Sequence, residues 1–192
     1  GKTTTSVNLA AALGFKGKKV LLIDCDPQSN ASSGVGVTKD TYTLSIYDCL
    51  ADANKINDAI INTGFKNLFL IPSSSALSGA EIELVYEEKR EFFLKTALDK
   101  IKDDFDFIII DSPPALGMLT LNILTASDTV LIPIQCEYYA LEGLSQLIQS
   151  VRKIKKSLNP NLDIEGILAT MYDARTNLSI QVLDEVKKYF PQ

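Results

Sequence analysis

The chain reads as an α/β fold, doubly wound around a mostly parallel sheet with helices on both faces, and three observations predict it. Five short runs of continuous Ile, Leu and Val punctuate the 192 residues, segments with helical apolar spacing separate them, and aspartates directly follow two of the runs. Continuous rather than alternating apolarity suits strands covered on both faces. Strands alternating with helices suit crossovers within one sheet. Neither a linker nor an internal repeat divides the sequence, so a single domain over 1–192 is expected.

Each element has its own signal. Ser6 to Lys16 (SVNLAAALGFK) has helical spacing, with Gly17 at C′. Val20 to Ile23 is the first strand, and the polar stretch Pro27 to Tyr42 is a loop. Leu68 to Ile71 is the next strand, Ser73 to Ser78 a loop, and about Ala80 to Lys102 a helix with Glu91 and Lys95 at favourable i, i+4 spacing on a solvated face. Phe107 to Ile110 precedes a helix over Leu116 to Ala126. Val130 to Ile134 is a strand expected to end near Pro133, because proline cannot donate to a ladder. Helix Tyr139 to Leu158, strand Ile164 to Met171 and helix Leu178 to Tyr189 complete the pattern.

Composition bounds the chemistry. With 46% apolar and 22% charged residues the chain can build one ordinary core. Nineteen basic against 24 acidic residues leave a net charge of −5, which argues against a constitutively basic nucleic-acid binder. There is no histidine, so Ser-His-Asp and Cys-His catalysis and most catalytic zinc sites are excluded. Cys25, Cys49 and Cys136 are odd in number and lack CxxC spacing, and they read as reduced thiols of a cytoplasmic protein. No apolar stretch reaches the roughly 18 to 20 residues of a membrane span, and no signal peptide is seen, so no membrane association is expected.

The residues that carry chemistry lie at the start of the chain and at strand ends. Gly1-Lys2-Thr3 running into a helix matches the end of the phosphate loop G-x-x-x-x-G-K-[ST], in which backbone N–H groups and a lysine cradle phosphates and a hydroxyl binds Mg²⁺. Taken alone the tripeptide is weak evidence, and an ordinary helix N-terminus is the more common reading. Ligands in parallel sheets bind beyond the carboxyl ends of strands. There, Asp24-Cys25-Asp26 places two carboxylates at i, i+2, on one side of an extended chain. Asp111, ending Phe107-Ile108-Ile109-Ile110, has the pattern of an aspartate that holds Mg²⁺ through its water shell. An aspartate ending one strand is commonly a cap or turn residue. Phosphoryl transfer accords with the absence of histidine, since it needs positioning, a metal and charge stabilisation.

Five blocks in order resemble the ParA/Soj branch of the deviant Walker ATPases, which segregate plasmids and chromosomes. They are GKTTTSVNLAAAL at 1–13, LLIDCDPQSNASSGVG at 21–36, FIIIDSPPALGMLTLN at 107–122, IPIQCEYYALEGLSQL at 132–147 and TMYDARTNLSIQVLDEVKKYF at 170–190. The resemblance implies an ATPase that takes ATP and Mg²⁺, with weak intrinsic turnover. Gly1, Lys2, Thr3 and Thr4 would hold phosphates, with Lys2 on the β/γ oxygens. Thr3, Asp24 and Asp111 would serve the metal, Asp26 would orient the attacking water, and Met171 would lie in the adenine-contacting segment. Arg175, otherwise an exposed loop arginine, matches a residue that contacts DNA without sequence preference. Arg152, Lys153, Lys155 and Lys156 read as a solvated helix face. The implied partners are a second copy in an ATP-dependent homodimer, non-specific double-stranded DNA and a ParB/Spo0J-type protein, in a cytoplasmic, nucleoid-associated setting.

The family also has an upstream strand and phosphate-loop lysine, and a further strand, basic region and terminal helix. None of these is found in 1–192, so the chain is expected to be truncated at both ends. Two other readings stay open: a MinD-like membrane-cycling ATPase, and a fragment inactive in nucleotide binding.

Overall fold

The computed structural model of the chain describes residues 1–137 and 140–189. It divides into two compact units, Thr3–Ala126, and Ser127 onward together with Gly1–Lys2.

The first unit is built on a four-stranded sheet in the order β2-β3-β1-β4. Its strands are β1 (Val20–Asp24), β2 (Ile61–Asn62), β3 (Leu68–Ile71) and β4 (Phe107–Asp111). β1 runs parallel to β3 and β4, and the short β2 is antiparallel at the edge. All five residues of β1 are buried, and they divide by parity. Leu21 and Ile23 pack into a cluster with Ile46, Leu50, Leu94, Leu98, Leu119 and Ile123. Val20 and Leu22 pack on the opposite face with Ala10, Ala31 and Val35. Helices α3 (Ile46–Ala51), α5 (Phe93–Leu98) and α6 (Met118–Ala126) therefore cover one face, and α1 (Lys2–Phe15) and α2 (Asn30–Gly34) the other. This two-sided burial is why the strand sequence is apolar without alternation.

α1 ends as its sequence requires. The Gly17 N–H donates to the Gly14 carbonyl at 3.0 Å and the Lys18 N–H to the Leu13 carbonyl at 3.1 Å, with Gly17 at φ 89°. This pair of bonds is the Schellman closure, and its left-handed residue is a glycine.

Several sequence expectations change, among them the loop over 73–78, which α4 enters at Leu77. The helix expected over 80–102 is broken into α4 (Leu77–Glu83), 3-10 turns at Leu84–Tyr86 and Arg90–Phe92, and α5. Lys89 is left-handed at φ 56°, and Asn122 of α6 holds the break. Its Nδ2 donates to the Arg90 carbonyl at 2.8 Å and its Oδ1 accepts from the Leu94 N–H at 3.2 Å. Glu91 and Lys95 thus share no helix, and Lys95 approaches Asp99 instead, at 4.0 Å. The stretch read as a loop over 27–42 contains α2 and a 3-10 turn at Lys39–Thr41. Finally, α3 is a helix that the apolar spacing does not predict, and Ser45 and Asp48 form a capping box at its start.

The second unit pairs β5 (Thr129–Gln135) with β6 (Asp163–Thr170) in parallel. α7 (Ala140–Ser157) and α8 (Asn177–Tyr189) supply Leu144, Ile148 and Val186 to a small core with Ile132 and Ile134. β5 does not end at Pro133, which is paired in register with Leu168. Among the described residues β6 is the one strand hydrogen-bonded to β5, and a proline is tolerated in a strand with an unpaired side. Among the described residues no helix is long and apolar enough to cross a membrane.

Candidate nucleotide site

In the first unit the parallel register brings Asp24 opposite Asp111 at the carboxyl ends of β1 and β4. The ladder continues one residue further, with the Cys25 N–H donating to the Asp111 carbonyl at 3.0 Å. From α1, Ser6 Oγ donates to Asp111 Oδ1 at 2.9 Å, tying the first turns of the GKT helix to the strand end. Thr3 and Ser6 are three residues apart and so lie on one helix face.

Both carboxylates are buried, Asp24 at 0% and Asp111 at 1% exposure. A buried carboxylate is costly unless it is hydrogen-bonded. Asp24 Oδ2 accepts from both the Ser32 N–H and Ser32 Oγ at 2.7 Å, and Oδ1 accepts from the Asp26 N–H at 3.1 Å. Burial still raises the Asp24 carboxyl above its ordinary value. The hydrogen bonds from Ser32 and Asp26 oppose that rise, and the charge of Asp111 adds to it.

Asp26 is 8% exposed, and its Oδ1 accepts from the Gln28 N–H at 2.9 Å. Between the two aspartates, burial pushes the Cys25 thiol well above its usual range, and Cys49 is pushed up to about 12. Thiols so disfavoured as thiolates are poor nucleophiles.

The remaining expected residues belong to the start of α1 and to the second unit. Lys2 opens α1, and the Thr4 carbonyl accepts from Asn8 Nδ2 at 2.8 Å. Gly1 approaches the end of β6 so closely that a Cβ there would lie 2.9 Å from Thr170 Oγ1, whose hydroxyl donates to the Ile134 carbonyl at 2.9 Å. Met171 follows at φ 54°, 76% exposed, with its Sδ accepting from Gln135 Nε2 at 3.2 Å. Gly1 and the Met171 segment are thus neighbours around Thr170.

The Arg175 side chain is 89% exposed and forked on Asp173, with Nε to Oδ1 at 2.9 Å and Nη2 to Oδ2 at 2.7 Å. On α7, Lys155 approaches Asp163 at 3.4 Å. In the block EYYALEG, Tyr138 and Tyr139 lie outside the described residues, as do Phe190 to Gln192.

The donor set fits magnesium. It consists of hydroxyls and carboxylates, hard oxygen ligands, with no imidazole available. The described residues hold no cluster of three or more carboxylate or thiol ligands. A cation here would complete its shell with phosphate and water oxygens, as Mg²⁺ commonly does.

Four residues escaped sequence reading: Ser6 and Ser32, which bond the two aspartates, Ser73, whose Oγ donates to the Asp26 carbonyl, and Tyr42, whose Oη donates to the Ser73 carbonyl. Ser73 follows the β3 run, so the strand-end rule could have found it. Ser6 could have been found from its spacing to Thr3. Nothing local distinguishes Ser32 or Tyr42.

A mostly parallel sheet with aspartates ending two adjacent strands, one of them bonded to the helix that GKT opens, defines the class of P-loop ATPases. The comparisons agree and go further. An AAA domain family model matches residues 1–164. The chain is 59% identical over 190 residues to the sporulation initiation inhibitor protein Soj of Bacillus subtilis (strain 168), covering 99% of this chain and 75% of that protein. It is 52% identical to the chromosome-partitioning ATPase Soj of Treponema pallidum (strain Nichols), covering 99% of this chain and 74% of that protein. The structure of cobyrinic acid a,c-diamide synthase from Mycobacterium smegmatis with bound ATP analog and magnesium superposes with a TM-score of 0.91 at 39% identity, covering 98% of this chain and 77% of that one. The chain belongs to the ParA/Soj family of partitioning ATPases.

Proposed function

We propose that this chain is the ATP-dependent switch of a DNA-partitioning system. Mg-ATP binding drives homodimerisation and non-specific binding to double-stranded DNA on the nucleoid, and slow hydrolysis, stimulated by a ParB/Spo0J-type partner, resets it. The observation that carries the reading is the in-register pair Asp24 and Asp111, with Ser6 of the GKT helix bonded to Asp111.

Gly1, Lys2, Thr3 and Thr4 bind the phosphates at the start of α1, where N–H groups and the helix dipole favour anions. Thr3, Asp24 and Asp111 hold magnesium, which when bound neutralises charge on the phosphate oxygens. Asp26 orients the attacking water, Met171 borders the adenine, and Arg175 contacts DNA phosphates. With no histidine in the chain, a carboxylate is the natural group for that water.

The test is the steady-state ATPase rate of the full-length protein with and without DNA and partner. We expect stimulation by the two together and loss of turnover in Asp26→Ala. Wild-type turnover in that variant would remove Asp26 from the mechanism, and binding of the ATP-loaded protein to anionic liposomes rather than DNA would overturn the DNA output.

A further inference from the structure

We propose that Ser73 is a positioning residue for hydrolysis, acting on Asp26 through its main chain and on Asp24 through Ser32; this rests on the reading of Asp26 as the residue that orients water. Ser73 lies in the loop that follows β3 and is completely buried. Its Oγ donates to the Asp26 carbonyl at 2.5 Å, across 47 residues of sequence. Its N–H donates to Ser32 Oγ at 3.2 Å. Its carbonyl accepts from Tyr42 Oη at 2.6 Å. The hydroxyl, N–H and carbonyl of this serine are therefore each engaged by a different residue: Asp26, Ser32 of α2 and Tyr42.

The network sets both aspartates. The Asp26 carbonyl takes one bond from the Ser29 N–H, within its own turn, and a second from Ser73 Oγ. A carbonyl oxygen has two lone pairs, so its capacity is filled and the peptide plane between Asp26 and Pro27 is held. With the Asp26 N–H on Asp24 Oδ1, the main chain on both sides of the Asp26 side chain is fixed. At the other end, Ser32 Oγ accepts from the Ser73 N–H, which leaves its own proton to donate to Asp24 Oδ2 at 2.7 Å. Ser73 thereby imposes on Ser32 the orientation that presents a donor to the carboxylate.

Removing the Ser73 hydroxyl leaves Asp26 in place but held by local bonds alone. Small displacements of a catalytic group are expensive, roughly a hundredfold for 1 Å. A loosened rather than misplaced Asp26 is expected to lose less. Tyr42 is the outer end of the same network and only partly buried, so its hydroxyl can be removed with less risk to folding.

The experiment is steady-state ATPase kinetics with a fluorescent ATP analogue titration on the full-length protein. The variants are Ser73→Ala, Tyr42→Phe, Asp26→Ala and the double Ser73→Ala/Asp26→Ala. The proposal expects Ser73→Ala to lower kcat about tenfold, with KM and nucleotide affinity within about twofold. Tyr42→Phe should lower kcat about threefold in the same pattern, and Ser73→Ala should have no further effect once Asp26 is gone. An unchanged kcat in a folded Ser73→Ala and in Tyr42→Phe overturns the proposal. So does a loss confined to thermal stability or to KM, or a full additional loss in the double variant. If Asp26→Ala keeps wild-type turnover, it is the underlying reading of Asp26 that fails.

Discussion

Asp24 and Asp111 stand opposite each other in the register of β1 and β4, both buried, and the charge of Asp111 adds to the cost of ionising Asp24. The carboxyl of Asp24 is raised by its burial first, against three opposing hydrogen bonds. A carboxyl whose folded value exceeds its unfolded one contributes stability that is full at pH below the unfolded value and is lost as pH rises through the folded value. The melting temperature of the nucleotide-free protein relative to that of Asp24→Asn should therefore fall as pH rises above the ordinary carboxylate value of about 4. Addition of Mg-ATP should offset that fall by favouring the ionised form, and scanning calorimetry across the range reads both. A flat difference would show that Asp24 is not the titrating group.

Ser29 combines two costs. It is left-handed at φ 57°, and its buried Oγ has no hydrogen-bond partner among the described residues. A non-glycine residue in that conformation costs about 1–2 kcal/mol, and an unsatisfied buried hydroxyl about 1–3 kcal/mol. Glycine gives back roughly 0.4–1 kcal/mol through the unfolded chain. Ser29→Gly is expected to stabilise the fold by about 1 kcal/mol or more in a denaturant titration, with an unchanged m-value.

Gly14 lies where α1 crosses the chain leading into β3. A Cβ there would sit 2.5 Å from the Lys66 carbonyl oxygen, and the Gly14 carbonyl accepts from Asn67 Nδ2 at 3.2 Å. The obstacle is backbone and cannot rotate away. Gly14→Ala should destabilise by about 1–3 kcal/mol despite alanine's better helix propensity. It should also weaken nucleotide binding, because α1 carries the phosphate-binding residues at its other end. Equilibrium unfolding and the ATP titration measure the two effects.

Arg175 is held by Asp173, whose carboxyl is drawn below its usual range by the guanidinium and by the Arg175 N–H. If Arg175 contacts phosphate, Arg175→Ala should weaken DNA binding across all sequences and reduce the salt slope by about one. Asp173→Asn removes the competing carboxylate and should strengthen binding severalfold at low salt. Fluorescence anisotropy at several salt concentrations checks both, and equal affinities for the wild type and Arg175→Ala would place the DNA contact elsewhere.

The strands were legible because their signal is local. β1, β3 and β4 are uninterrupted apolar runs, and the parity of β1 only divides it between two faces that are both buried, while β4 is half-buried with Phe107 exposed. The C′ role of Gly17 was legible for the same reason, a backbone conformation that glycine adopts freely. The capping box of α3, Ser45-Ile46-Tyr47-Asp48, is a weak signal beside so short an apolar segment. The break after α4 was not legible at all. Helical spacing runs through it, and what overrides that spacing is Asn122, which bonds to backbone 28 and 32 residues away.

The amino-acid sequence alone determined the α/β class, the family, the exclusion of imidazole chemistry, and the aspartates that end two strands. Those properties rest on residue type and short-range spacing. Tertiary structure decided which groups meet: Ser6 with Asp111 across 105 residues, Ser32 with Ser73 across 41, and Ser73 with Asp26 across 47. Serines leave no periodic mark in a sequence, since one hydroxyl serves equally on a surface or in a buried network. Only the parallel register of β3, β1 and β4, which sets their carboxyl ends side by side, turns these particular hydroxyls into the framework of the site.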